Sequence, residues 1–397
     1  MFEVAVKMLM HDRTKYLGLF TGIGFTAFLV TFAMAYFAGF MTRGFALVSE
    51  NPSATVWVMD PAVHSTEATI NMSDASLGLV RSIKGVSYAV PLYLGDVTAR
   101  FPNGHFQSFQ IIGVDDAILS GAPKPGNALS AALLHMPDSV IVDGGGSSGK
   151  LQTPLHTKDM WPYDGAHLGV PTRKLRYGDT LIINDKRVVV RAVSSTIPRF
   201  PPRPLMYTTQ SNFKRLNPGE NRYITFIMVK GEKNISATLL AQNISAQTGL
   251  KAITSDELKK ETVKWFLINS EDVGDMINMV ILAMLVGFGV TGVMLYMFTY
   301  ENLRQYAVLK AMGASNNQLV NMVFTQAFIG VIVGSGIGIG GCALLGESVA
   351  SVDFPFRMMW FAPVLGFLGV LIVSITAAVI SVRPVLHMEP GIVFSQR

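Results

Sequence analysis

A glycine-rich stretch, Gly144-Gly-Gly-Ser-Ser-Gly149-Lys150, has the G-x-x-x-x-G-K spacing that wraps backbone N–H groups and a lysine around phosphates. It follows a β-type run, Ser139–Val142. Two parts of a phosphate site are missing. Leu151 stands where Ser or Thr would hold magnesium, and Pro154 falls where the helix facing the phosphates has to form. The stretch therefore reads as a flexible Gly/Ser loop. The histidines (His11, His64, His105, His135, His156, His167 and His387) show no H-x-x-x-H spacing, and the single cysteine, Cys342, supports no zinc set. No G-x-S-x-G elbow marks a nucleophile. Asn71, Asn234 and Asn243 open N-x-S sequons, which matter only in a eukaryotic secretory setting. The chain is expected to be non-catalytic, with no metal or cofactor of its own.

A different stretch is built for mechanical contact. In Glu301-Asn-Leu-Arg-Gln-Tyr-Ala-Val-Leu-Lys-Ala-Met-Gly313, Leu303, Ala307 and Ala311 recur at four-residue spacing with Val308 and Met312 alongside. That spacing predicts a short helix with one apolar face, decorated by Glu301, Arg304, Gln305 and Lys310. Gly313 supplies the left-handed stop. Ser315 and Gln318 then form an S-x-x-Q capping box for the next helix.

Stepping outward, half of the 397 residues are apolar and 15% are charged, against roughly a quarter charged in soluble domains. The excess lies in four blocks, Tyr16–Met41, Asp275–Phe298, Leu319–Leu345 and Met358–Val382. Each is long enough to cross a hydrocarbon core, which takes about 20 helical residues. The first block lacks a small-x-small cleavage site and reads as a retained span. The resulting plan is a basic amphipathic helix (1–15), spans at 16–41, 275–298, 319–345 and 358–382, a loop at 299–318, a short loop at 346–357 and a tail at 383–397. A large domain fills 42–274.

Orientation follows the basic residues beside the spans. Lys7, Arg13, Lys15, Arg304, Lys310, Arg383 and Arg397 lie on one side, and only Arg43 and Arg357 on the other. Both termini and the 301–318 loop are therefore expected in the cytoplasm, with the large domain outside. The basic residues form no stripe and no nucleic-acid motif, so no nucleic acid is expected as a partner.

The large domain reads as mixed α and β. Strands are expected at Ala54–Met59, Gln107–Val114, Ser139–Val142 and Tyr223–Val229, with a hairpin Thr180–Ile183/Arg187–Val193 turning at Asn184-Asp185-Lys186. Ile235–Thr248 reads as a helix. Thr254 and Glu257 cap another at Ser255, which meets no Pro or Gly until Gly274 and so is expected to run straight into the second span. The Gly-, Pro- and His-rich middle, about 120–180, is expected to be an inserted subdomain. Pro198-Arg-Phe-Pro-Pro-Arg-Pro204 is an extended, stiff surface loop.

In the third span Gly330, Gly334 and Gly338 repeat every four residues, with Gly336 and Gly340 on an adjoining line. Loss of Cβ lets helices approach, so this is a packing face, within one chain or between two. No ionisable residue lies in the middle of any span, which argues against an ion relay. Phe37, Phe40, Met41 and Met276 lie at the outer ends of the first two spans, and Phe354, Phe356, Met358, Met359 and Trp360 beside the fourth. They form either an interfacial belt or an opening for a lipid-like molecule.

One span, a large outer domain, then three spans with a short helix between the second and third: this order resembles the MacB/FtsX-type permeases of ABC systems. Glu301–Ala314, with Tyr306-Ala307-Val308-Leu309-Lys310-Ala311-Met312-Gly313-Ala314, is similar to the family signature E-I-G-x-L-r-A-l-G-A, Tyr306-Ala307 replacing Ile-Gly. That variant resembles the DevC branch. So do Val90-Pro91-Leu92-Tyr93, Ile112-Gly113-Val114 and Ser139–Asp143, and Arg383-Pro384-Val385-Leu386 with Glu389-Pro390 resemble the closing pattern.

The resemblance implies an α-helical membrane protein with four transmembrane helices and a large mixed α/β extracytoplasmic domain, porter-like with an inserted subdomain. It implies a bacterial inner membrane, a second permease copy and a pair of separate cytoplasmic ATPases carrying ATP and magnesium. A periplasmic adaptor and an outer-membrane channel complete the assembly. Glu301–Ala314 is then the coupling helix on the ATPase, and ATP-driven closure reaches the outer domain along the second span to export a hydrophobic or amphipathic substrate. Two relatives stand as alternatives. One is an FtsX-like regulator of cell-wall hydrolases. The other is a lipoprotein- or haem-extracting permease, for which Met41, Glu271 and Met276 stand near the opening. A membrane-anchored enzyme has no motif behind it.

Overall fold

The computed structural model describes residues 8, 13–123, 132–156, 159–160, 165–218, 223–350 and 354–387. The chain divides into two compact units, Met1–Phe40 with Ser270–Arg397, and Met41–Asn269. The expected amphipathic helix at 1–15 falls almost wholly outside the described residues, and Arg13 already begins the first long helix.

Four long apolar helices dominate the first unit: span 1 (Arg13–Gly44), span 2 (Glu271–Glu301), span 3 (Asn316–Val349) and span 4 (Phe361–His387). Each is long and apolar enough to cross a membrane. Span 4 starts at Phe361, later than the sequence suggested, and continues through Pro384. The shared core is made of Leu19, Ile23 and Ala27, Leu295 and Phe298, Ala327 and Val331, and Val370, Ala377 and Ala378. Spans 1 and 2 are also joined by Thr26 Oγ1 and Thr291 Oγ1, 2.9 Å apart. A neutral hydroxyl pair of this kind satisfies itself without bringing charge into an apolar surrounding.

The second unit holds β1 (Val56–Met59), β2 (Met72–Ser73), β3 (Val86–Arg100), β4 (Phe106–Val114), β5 (Ser139–Asp143), β6 (Gln152–Pro154), β7 (Thr172–Lys174), β8 (Thr180–Ile183), β9 (Lys186–Ser194), β10 (Leu205–Thr209), β11 (Tyr223–Ile224), β12 (Phe226–Gly231) and β13 (Lys251–Thr254). The 15-residue β3 belongs to two sheets. Its first half pairs with β12, from Val86 to Leu92, in the antiparallel order β13-β1-β12-β3. Its second half pairs with β4 from Tyr93 to Arg100. From there the order β4-β10-β5-β9-β8 returns to β3 through Ala99–Ile183 and Arg100–Ile182, closing a six-stranded barrel. Closure removes exposed strand edges.

Alternation builds the two cores. Val140 and Val142 of β5 join one cluster with Phe109, Ile111, Val188 and Val190, while Ile141 joins the other with Ile112, Val114 and Tyr207. Successive side chains of a strand point to opposite faces, so a strand covered on both sides must be apolar throughout. The inserted part is therefore this barrel, which enters at the second half of β3. The 120–180 segment is not a separate body, because β5 is one of the barrel's strands.

The hairpin turns where expected, with Asn184 and Asp185 at φ of 46° and 61°. Two positive φ values in succession match the strand twist of a two-residue turn. Thr254 and Glu257 cap the helix Ser255–Asn269, the Glu257 carboxylate accepting the Thr254 N–H at 2.8 Å. That helix does not continue into span 2. Ser270 is extended (φ −101°, ψ 122°), and span 2 starts afresh at Glu271. Ser270-Glu271-Asp272 is itself a start signal, with carboxylates beside the positive end of the new helix.

Candidate functional site

The helix between spans 2 and 3 is Leu303–Ala311. Gly313 follows at φ 100°, and the Ser315/Gln318 capping box opens span 3. Its buried side differs from the one expected. Tyr306 and Ala307 are fully buried, with Leu303 and Leu309 half-buried, against Leu319, Met322 and Val323 of span 3 and Val382 and Val385 of span 4. Val308 and Met312, expected on the apolar face, point outward, Met312 being 70% exposed. Burying Tyr306 turns the helix, because its hydroxyl reaches Gln326 Oε1 at 2.6 Å. The exposed face is Arg304, Gln305, Val308, Ala311 and Met312, with Glu301 just before it and Ala314 half-buried after Gly313. Tyr306 and Ala307 thus lie behind that face, packed against spans 3 and 4.

The helix is tied at both ends. Asn302 Nδ2 donates to the Phe298 carbonyl at 2.7 Å, and Lys310 Nζ to the Leu386 carbonyl at 3.3 Å. The last carbonyls of a helix lack intrahelical partners, so a lysine there satisfies an orphan acceptor.

Gly330, Gly334 and Gly338 lie against span 1. A Cβ placed on Gly338 falls 2.1 Å from the Gly24 carbonyl oxygen, and one on Gly330 or Gly334 falls 2.7 Å from Ile23 side-chain atoms. Gly336 and Gly340 face open space. The glycine line is thus an intrachain contact. Of the residues named for the candidate opening, Phe40, Met41 and Met276 are buried and Phe37 is half-buried. Phe354 packs on Phe32 and Tyr36, with ring centroids 5.9 and 5.0 Å apart. A bulky Met or Phe at a helix end fills packing gaps before it serves a ligand.

The Gly-rich and Pro-rich loops interlock. After Gly144–Lys150 comes a strand, β6, where a phosphate loop has a helix. The Gly145 N–H is taken by Asp143 Oδ1 at 2.8 Å, while Oδ2 accepts the Ser194 hydroxyl and the Thr196 N–H. A carboxylate sits where a phosphate would. Arg199 donates its backbone N–H to the Gly145 carbonyl and its guanidinium to Tyr207 Oη (3.2 Å) and to Glu50 in an ion pair. Arg203 pairs with Glu67 at 2.5 Å, and Phe200 meets Phe266 edge-on. Burial pushes the Glu50 and Glu67 carboxyls above the usual range, against the pull of Arg199 and Arg203. Among the described residues, no group of His, Cys, Asp and Glu is placed to hold a metal.

The chain thus combines four helices long and apolar enough to cross a membrane with a large mixed α/β domain. This chain matches, over residues 277–390 (spans 2 to 4 with the loop helix), the family model of the FtsX-like permease C-terminal domain. No curated protein matches it. Among solved structures it is similar to the periplasmic region of MacB from Actinobacillus actinomycetemcomitans, at TM-score 0.37 and 15% identity over 58% of this chain and 96% of that one. It is also similar to the extracellular domain of the noncanonic ABC-type transporter YknZ from Gram-positive bacteria, at TM-score 0.29 and 13% identity over 50% and 98%.

Proposed function

We propose that this chain is the non-catalytic permease subunit of an ABC exporter. Its loop helix docks on a separate cytoplasmic ATPase, which carries the ATP and magnesium, and movement of that ATPase drives the extracytoplasmic domain. The observation behind this reading is the loop helix itself: clamped behind by Tyr306 and Ala307, it presents Arg304, Gln305, Val308, Ala311 and Met312 as a mixed polar and apolar face. A docking site needs a rigid support and a face that mixes an apolar anchor with charge.

The bias of basic residues supports a bacterial inner-membrane topology with both termini inside. The bare face of span 2 at Ile281, Leu282 and Leu285 supports a second copy. An amphipathic or hydrophobic substrate taken from the periplasm or outer leaflet fits a membrane part without ionisable groups at depth. A DevC-like adaptor and outer-membrane channel would carry that substrate onward.

The test is co-purification of the full chain with an ATPase and export by the pair. Met312→Glu and Arg304→Glu should abolish co-purification while the chain itself remains folded. Retained export with either variant would sink the docking reading. Unchanged export with altered cell-wall hydrolysis would mark an FtsX-like regulator instead.

A further inference from the structure

Gln326 is fully buried ten residues into span 3, among Tyr306, Met322 and Val323. An amide side chain in so apolar a surrounding is costly unless a partner satisfies it. Its Oε1 accepts the Tyr306 hydroxyl at 2.6 Å, and both side chains are 0% exposed. Apolar residues at both positions would have packed this junction without desolvating any polar group. The hydrogen bond adds direction: a hydroxyl and an amide oxygen hold one distance and one angle, whereas apolar contacts slide.

We propose that Tyr306 is a positioning residue that pins the loop helix to span 3 through Gln326, so that force on the exposed face passes into span 3 and not into sliding at the junction. The proposal rests on the docking reading above. Lys310 on the Leu386 carbonyl is a second tether, to span 4. It is a single long bond from a flexible side chain, which holds distance less tightly than the buried pair.

The experiment compares wild type, Tyr306→Phe, Gln326→Leu and the double variant as full-length chains in nanodiscs, by thermal unfolding and amide hydrogen exchange. Each single variant breaks the bond between two buried polar groups and should melt lower. The double removes both groups at nearly constant shape and should melt higher than the lower-melting single variant. The pin predicts that exchange over 303–311 nevertheless remains roughly tenfold faster in the double variant, because local opening no longer breaks a buried bond. Wild-type exchange in the stable double variant would overturn the proposal, since apolar packing alone would then hold the helix.

A second arm adds the co-purified ATPase, with and without ATP. In wild type, ATP should change exchange over 303–311 and over 319–334 together; in the double variant, over 303–311 alone. A joint response in the double variant also overturns the pin. An ATP response nowhere, even in wild type, would instead remove the docking reading, and the pin would still be judged by the chain alone.

Discussion

In the four-helix unit the fully buried polar side chains are neutral among the described residues: Thr26 with Thr291, Tyr306 with Gln326, Asn302 on a carbonyl. In the large domain Arg199, nearly fully buried, pairs with Glu50, and a second pair, Arg203 with Glu67, is partly buried, beside fully buried neutral groups such as Ser139 and Thr208. The difference follows from what each unit has at hand to offset desolvation. The domain surrounds Glu50 with a backbone N–H from Ile197 as well as the guanidinium, and sets a tyrosine hydroxyl beside Arg199. These partners offset part of the desolvation of the pair, while Arg199 Nε and Nη1 have no hydrogen-bond partner among the described residues. Between apolar helices there are few spare N–H groups, so a neutral hydrogen-bonded pair is the cheaper way to fix geometry.

Each side of this comparison can be broken separately. The largest effect should come from size alone in the helical unit. Gly338→Val sets a Cβ against the Gly24 carbonyl, where no side chain can yield, so its cost should exceed the ~1–3 kcal/mol of ordinary overpacking. Loss of monodisperse protein in detergent would show it. Gly336→Ala, on the open line of the same helix, should stay within about 0.5 kcal/mol. Next comes charge: Arg199→Met strands a buried Glu50 and should cost ~3–5 kcal/mol, with Glu50→Leu/Arg199→Met recovering most of it. Domain unfolding followed by hydrogen exchange over 41–269 would check that recovery.

Tyr306→Phe, breaking a neutral pair, should cost only about 1–3 kcal/mol by thermal melt. If it cost as much as Arg199→Met, neutral and ionic pairs would be equally expensive to break in the two units. The smallest effect belongs to a partly exposed ion pair. Arg173 grips Asp179 with two hydrogen bonds of 2.8 and 2.6 Å. Burial alone would push the Asp179 carboxyl up, but Arg173 and the Arg176 N–H hold it below the usual range. Its contribution is therefore present above the unfolded pKa and is lost as pH falls through the folded one. Asp179→Asn should flatten that acid limb by less than about 1 kcal/mol. Glu50 runs the other way. Its raised carboxyl contributes stability below the unfolded pKa and loses it as pH rises through the folded value. Melting curves of Glu50→Gln and Asp179→Asn across the acid range should thus diverge in opposite directions.

Much of this was legible in residues whose geometry is local. The four spans announce themselves by apolar length, the Thr254/Glu257 and Ser315/Gln318 caps by spacing, and the 184–186 turn by Asn-Asp. β3 was not found, although it organises the whole domain. Pro91 and Gly95 lie inside it and read as breakers, and only pairing on both sides holds it extended. The loop helix was placed correctly along the chain but rotated, because periodicity weighs apolar residues and has no way to weigh Tyr306 finding Gln326 across sequence. The phosphate-loop spacing and the Pro-rich run, unrelated in sequence, meet in space at Gly145 and Arg199.

The contact between Gly24 and Gly338 sets a schedule for making the molecule. Span 1 leaves the ribosome 314 residues (338 − 24) before its partner glycine exists. At about 5–20 residues per second that is roughly 15–60 s. Until span 2 is made, Leu19, Ile23 and Ala27, fully buried in the finished protein, have only lipid or an insertion chaperone against them, and their span 3 partners come later still. A face shaped for glycines offers a narrow, specific groove that few wrong helices fit.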